Sequence, residues 1–438
     1  MKALSVVCVF SLIFALGAHA DSRTPEPFAD SSFPNKDFAL HGGPVIGTQT
    51  AGANTVIDDV IGNHTGIHIS AWATGGFNIS NEQTLGGNSP SGYVIDPNQF
   101  DLTEAIVRIV RYADTVQKDH IDWGIKVDAL YGKDYYMFLS KGLWSNQDIA
   151  NANDPNFVGK KYGYDIPQFY ADVFVPYVAD GLNFRAGRIL SNPTVYFGRN
   201  QLFTHTVFDN NTGDTQTGVI ATLKSGNFTY QLGGVNTADV ALWDHTDSKL
   251  SAYAALQWNT PSQSDSVYLE AYGLNNADYA YHNWQTLYAI WTHKFDEKFY
   301  NRLQAAYFYE NKVPVLGQGN ALGAGNGFAI ANPELNNISS SQKTASINGY
   351  SLVESVGYSI DEKNYIVGRM EFTSDPEGSL TGAPANYLGG TIGGGHNFSK
   401  FLTGTVEMRR DYSFHSAAFD NGAQHLLDLF AASMTVHL

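Results

Sequence analysis

Glu407, Arg409 and Asp411 stand two residues apart, as do Arg369 and Glu371, and Lys126 and Asp128. In an extended chain every second side chain points the same way, so each set shares one face of a strand and alternates acid with base. The chemistry such ladders offer is electrostatic. They either set a field across a water-filled passage, or pair with one another and brace a wall. Arg185, Glu270 and Arg302 fall in the same phase of their own segments. Asp122, Asp172, Lys224 and Lys294 join them, so acids and bases balance along the expected inner wall. Most of the acidic excess must then lie in loops and in the N-terminal segment. Arg188 and Arg410 are out of phase, which places them above the hydrocarbon or at bulges.

Other constellations carry less. Gly389-Gly390-Thr391-Ile392-Gly393-Gly394-Gly395 is rich in glycine but lacks the Lys-Ser/Thr of a phosphate loop. In a strand, such glycines mark close approach, and here they leave room for the long side chains of neighbouring strands or for an inserted loop. Asp209 to Asp214 spaces oxygen ligands somewhat as a calcium loop does, without the distal Glu, and reads as turn chemistry. His64 and His68 have no third ligand nearby. His415-Ser416 is not followed by residues that would make a hydrolase motif, so no catalytic residue, metal or cofactor is expected.

These charges need strands to hold them. From Ile121 to Tyr131, Ile121, Trp123, Ile125, Val127, Ala129 and Tyr131 face one way, and Asp122, Gly124, Lys126, Asp128 and Leu130 the other. Trp123 and Tyr131 are about 20 Å apart vertically on a tilted strand, close to the spacing of the aromatic girdles that flank a lipid-facing band. Sixteen such segments follow one another from residue 66 to the end, among them 165–178, 249–259, 284–295, 364–373, 387–398 and 401–411. Short polar turns such as Ala179-Asp180-Gly181, Ser225-Gly226, Asp296-Glu297-Lys298 and Asp361-Glu362-Lys363 alternate with long connections at 78–100, 132–164, 191–214, 311–347 and 412–425. The fold class expected is all-β: a transmembrane antiparallel up-and-down barrel of about 16 strands, closed so that no backbone group is left unpaired in lipid. The even count puts both ends on the periplasmic side, with the long loops outside. The run Tyr135-Tyr136-Met137-Phe138-Leu139 gives 132–164 the material for a further short element.

Ahead of the barrel, Lys2, the apolar run Val6 to Leu16 and Ala18-His19-Ala20 read as a signal peptide over 1–20. Residues 21–65 lack the strand pattern and are expected to form a periplasmic arm or a plug, and either 21–65 or 132–164 is a candidate to close the lumen. The lone Cys8 lies inside the signal, which excludes a disulfide or thiolate site in the remainder. A formal net charge of −16 argues against nucleic acid as a partner. With 13% aromatic and 16% charged residues the composition suits a barrel with girdles.

Pro167-Gln168-Phe169-Tyr170-Ala171-Asp172, Gly181-Leu182 and Ala186-Gly187-Arg188 resemble the central hairpin of the second β-barrel porin family, the OmpL-like group. Leu130-Tyr131-Gly132-Lys133-Asp134 and the strand from Glu407 to Asp411 are similar to that family too. The chain departs from it between Pro193 and Gly198, where no acid follows the Gly-Arg hairpin, and at its last residue, Leu438. The resemblance implies an outer-membrane porin that lets small hydrophilic solutes or ions diffuse through its lumen, with outer-membrane lipid as its surroundings and a homo-oligomer left open. The competing classes are an adhesin or receptor barrel, which would bind through its long loops, and a barrel lipid hydrolase.

Overall fold

The computed structural model describes Ile46 and residues 66–438, apart from 92, 141, 144–160, 195–200, 210–211, 242–247, 263, 281, 315–343 and 400. The signal expected at 1–20 and, Ile46 excepted, the arm or plug expected at 21–65 lie outside the described residues.

Sixteen strands form one closed antiparallel barrel. They are β1 (His68–Ser80), β2 (Phe100–Arg111), β3 (Asp122–Gly132), β4 (Gly163–Val175), β5 (Gly181–Leu190), β6 (Thr215–Ser225), β7 (Phe228–Asn236) and β8 (Leu250–Asn259). The second half comprises β9 (Asp265–Leu274), β10 (Gln285–Lys294), β11 (Phe299–Pro314), β12 (Thr344–Ser359), β13 (Asn364–Asp375), β14 (Ala385–Ser399), β15 (Leu402–Phe414) and β16 (Leu426–His437). Every strand pairs with its sequence neighbours, and β1 closes on β16 with Trp72 opposite His437 and Phe77 opposite Ala432. The expected strand boundaries shift by a few residues. Among the described residues of 132–164 there is one helical turn, α1 (Tyr135–Phe138), with Tyr135, Tyr136 and Phe138 buried.

Alternation fixes which face each side chain takes. In β3, Lys126 and Asp128 are buried inside, whereas Trp123 and Tyr131 are 49% and 51% exposed on the outer face. The short turns have one recurrent cause. Asp296 Oδ1 accepts from the backbone N–H of Lys298 and Phe299 at 2.7 and 2.8 Å, and Asp361 Oδ1 does the same for Lys363 and Asn364, both at 2.8 Å. A repeated Asp-Glu-Lys thus makes the same Asx turn twice.

The apolar band on the outside is interrupted between Tyr350 and Tyr358, which are 48% and 45% exposed. Midway between them Glu354 faces outward, with Leu352 and Val356 on either side, and accepts a hydrogen bond from Asn301 Nδ2 at 2.7 Å. Arg410 also faces out, nearer the long-loop rim, paired with Asp428 across β15 and β16.

Candidate functional site: the charged interior wall

Glycine makes the centre of the interior wall possible. β14 lies between β13, which carries Arg369 and Glu371, and β15, which carries Glu407, Arg409 and Asp411. A Cβ at Gly389 would stand 2.5 Å from Asp411 Oδ1 and 2.7 Å from Glu371 Cγ, and one at Gly393 would stand 2.7 Å from Leu202 and 2.8 Å from Glu407 Cβ. The bare strand therefore makes room for the charged side chains and for a loop as well.

That loop is 191–214, the connection from β5 to β6. In the sequence it is one long outer connection among several, and 21–65 or 132–164 is the candidate to close the lumen. Its described part lies against β13–β15 inside the barrel. Glu407 accepts from the backbone N–H of Phe203 at 2.6 Å and of Thr204 at 3.0 Å, and Glu371 from that of Val207 at 2.9 Å. Arg369 donates to Thr204 O at 2.7 Å and His205 O at 3.3 Å, and Arg409 donates to His205 O as well. The wall thus reads the loop's peptide groups, offering acids to its N–H groups and guanidinia to its carbonyls.

The wall charges also bind one another. Arg409 reaches Glu371 Oε1 at 2.7 Å and Asp411 Oδ2 at 2.6 Å. Burial, then the Arg369 and Arg409 guanidinia, push the His205 imidazole down to about 3, so it is neutral at physiological pH. A neutral ring can stack on Tyr93 from loop 81–99, and the two centroids are 4.1 Å apart with 12° between planes. Ser91 of the same loop donates to Asp411 Oδ2 at 3.0 Å.

The other expected residues are placed as follows. Lys126 and Asp128 meet at 3.7 Å, and Asp128 is held more closely by Arg108 at 2.7 Å and Gln168 at 2.7 Å. Arg185 pairs with Asp172 at 2.9 Å and lies over the Tyr170 ring. Glu270 accepts from Tyr268 at 2.8 Å. Arg302 faces inward from β11 and remains partly exposed, whereas Lys126, Asp128, Arg185, Glu270, Arg369, Glu371, Glu407, Arg409 and Asp411 are all buried.

Sequence reasoning missed Arg108 because its strand alternates poorly. It left Arg188 without a partner because it looked for an acid after the hairpin. The register of β3 against β4 slips between Asp128 and Leu130, and Gly187 beside Arg188 has φ +140°. Past these irregularities Arg188 turns in and meets Asp165 of β4 at 3.0 Å. The inserted loop did leave a signal: Leu202, Phe203, Val207 and Phe208 are out of character for an outer loop. Val207 and Phe208 are fully buried. Asp209, read as turn chemistry, accepts from Thr206 at 2.6 Å and Gln304 at 3.1 Å. No group of three metal-ligating side chains occurs among the described residues.

The closed barrel is similar in fold to outer-membrane proteins of known structure. The chain is similar in fold to the outer membrane channel DcaP of Acinetobacter baumannii, at 10% identity and TM-score 0.52, covering 85% of this chain and 97% of that one. It is similar to an anion-selective porin from Comamonas acidovorans at 9% identity and TM-score 0.52, covering 85% and 99%. No curated protein matches it in sequence. The family profile described as "Putative beta-barrel porin-2, OmpL-like" matches residues 66–438, so the chain belongs to the OmpL-like β-barrel porins of the outer membrane.

Proposed function

We propose that this porin gives small hydrophilic solutes and ions a passive route across the outer membrane, through a water-filled lumen narrowed by loop 191–214. The observation that carries this reading is the polarity of the wall at every depth. Asp122 and Asp172 lie near the short-turn end, Glu270, Arg369 and Glu407 near the middle, and Asp411 toward the long-loop end, all on the inner face. A barrel built only as a scaffold for outer loops has no need of ionisable groups through its core, where each must be paired to offset its desolvation. The ten interior residues Lys126, Asp128, Arg185, Glu270, Arg302, Arg369, Glu371, Glu407, Arg409 and Asp411 act here by holding the wall and loop in place or by facing the solute. None is given a bond-making role, and diffusion down a gradient is the mechanism.

Proteoliposomes carrying the purified protein should swell osmotically in neutral sugars, faster for smaller sugars. Swelling no faster than protein-free vesicles, with the barrel folded, would contradict the reading.

A further inference from the structure

Most arginines inside this barrel are already engaged by partners in the wall or loop, and Arg302 is set apart from them. On the inner faces of β10, β11 and β12 toward the short-turn end stand Ile290, Thr292 and Lys294, then Tyr300, Arg302 and Gln304, then Val353, Ser355 and Gly357. Two are cations and none is an acid. Thr292 is directly opposite Arg302, and Lys294 is opposite Tyr300, so Arg302 and Lys294 are diagonal neighbours on one face, within about 8 Å. Across β12 the residue opposite Arg302 is Ser355. The inward acid of neighbouring β9, Glu270, is 4% exposed and engaged by Tyr268.

Arg302 differs from the other arginines of the wall. Arg185, Arg188, Arg369 and Arg409 are buried, and each has hydrogen-bond partners in the wall or loop. Arg302 is partly exposed to the lumen and its side chain makes neither a salt bridge nor a hydrogen bond among the described residues; its enclosed Nε is unpartnered, as is that of Arg369. The terminal N–H groups of this guanidinium are not enclosed and have no acceptor among the described residues of the wall, so they are left to find one in the lumen. The group that fits a planar guanidinium fork beside an ammonium is an oxyanion, either a carboxylate or a phosphate.

Building on the porin reading, we infer that Arg302, with Lys294 beside it, is the station that sets the solute preference of this pore, favouring small solutes that carry a carboxylate or phosphate group. The acidic loops at the mouth act on all ions at longer range and are screened by salt. The Arg302 station acts at contact distance and survives high salt.

The test is single-channel recording of the full protein in a planar bilayer at 1 M KCl, with inorganic phosphate or malonate added to either side. The wild type should show brief interruptions of current with at least one of the two anions. Arg302→Gln should shorten them about tenfold, and Arg302→Lys should keep part of the effect, because an ammonium binds the same group without the bidentate fork. In a KCl gradient, Arg302→Glu should shift the reversal potential toward cations. Each variant is first checked for the heat-dependent gel shift of a folded barrel. Channels that conduct normally but show equal interruptions in wild type and Arg302→Gln, or none with either anion, would overturn the station alone. A folded protein that does not conduct at all would remove the porin reading and the station with it.

Discussion

Arg409 and Glu371 face each other across the glycine strand β14, Nη2 to Oε1 at 2.7 Å, with both side chains almost fully enclosed. Arg409 also holds Asp411, and Glu371 also holds the Val207 N–H of the inserted loop. One ion pair therefore ties two strands and the loop together.

Removing one partner of such a pair leaves the other charge enclosed and unmatched, at a cost of about 3 kcal/mol. Arg409→Gln should lower the temperature of the gel-mobility shift and enlarge the single-channel conductance as the loop loosens. Adding Glu371→Gln should restore part of the stability but not the original conductance. Independent, additive losses in the double variant would show that the two residues do not act as a pair.

Gly393 tests the loop without removing a charge. Its backbone is ordinary strand, but a Cβ there meets Leu202 and Glu407. Gly393→Val should lower the temperature of the heat shift, because the new side chain also crowds the Val406 carbonyl oxygen of β15 at 2.8 Å, and should change conductance in the barrels that fold, since it displaces the loop. Unaltered conductance in a folded Gly393→Val barrel would mean the loop is not part of the constriction.

Glu354 lies midway between two exposed girdle tyrosines on the lipid side. Polar groups cost free energy at that depth, so Glu354→Leu should stabilise the barrel against urea in liposomes, by up to about 2 kcal/mol. A loss of stability, or of an oligomer on unboiled gels, would show that this patch is covered by protein.

At the mouth, loop 81–99 is clasped to loop 415–425 by Asp420 Oδ1, which accepts from Thr84 N at 2.9 Å and Thr84 Oγ1 at 2.5 Å. Burial, then the nearby Asp420 charge, raise the Glu82 carboxyl from 4.5 to about 7. The folded clasp holds a proton that the open loop releases, so its stability is full below pH 4.5, falls as pH rises to about 7, and is flat above. Hydrogen exchange at the Gly87 amide, bonded to Thr84 O at 2.9 Å, should quicken through that window, and Glu82→Gln should abolish the trend. Exchange that slows with rising pH, after correction for the intrinsic rate, would reverse the sign assigned here.

The barrel was legible because strand facing has period two and every residue reports on it. Ile125 and Val127 could not share a face with Lys126 and Asp128 in any register. The charged ladders were legible for the same reason. The inserted loop was not, because whether a loop turns in or out depends on contacts with strands some 165 to 205 residues away in sequence, such as Phe203 with Glu407. Nor was the exposure of Arg302. Sequence phase puts it inside with Arg369 and Arg409, but only three-dimensional pairing decides which of them is already occupied. Arg188 escaped because the backbone leaves ordinary strand geometry at Gly187, with φ +140°, and nothing in the local pattern announces it.

The central claim is that this barrel conducts through a lumen narrowed by loop 191–214. Single-channel current in a planar bilayer tests it most directly, comparing wild type with Arg369→Gln/Arg409→Gln, which removes the guanidinia that hold the loop carbonyls. The account predicts discrete current steps of uniform size for the wild type and larger, noisier steps for the double variant. No steps from correctly folded protein, or steps of identical size and noise in both, would contradict it.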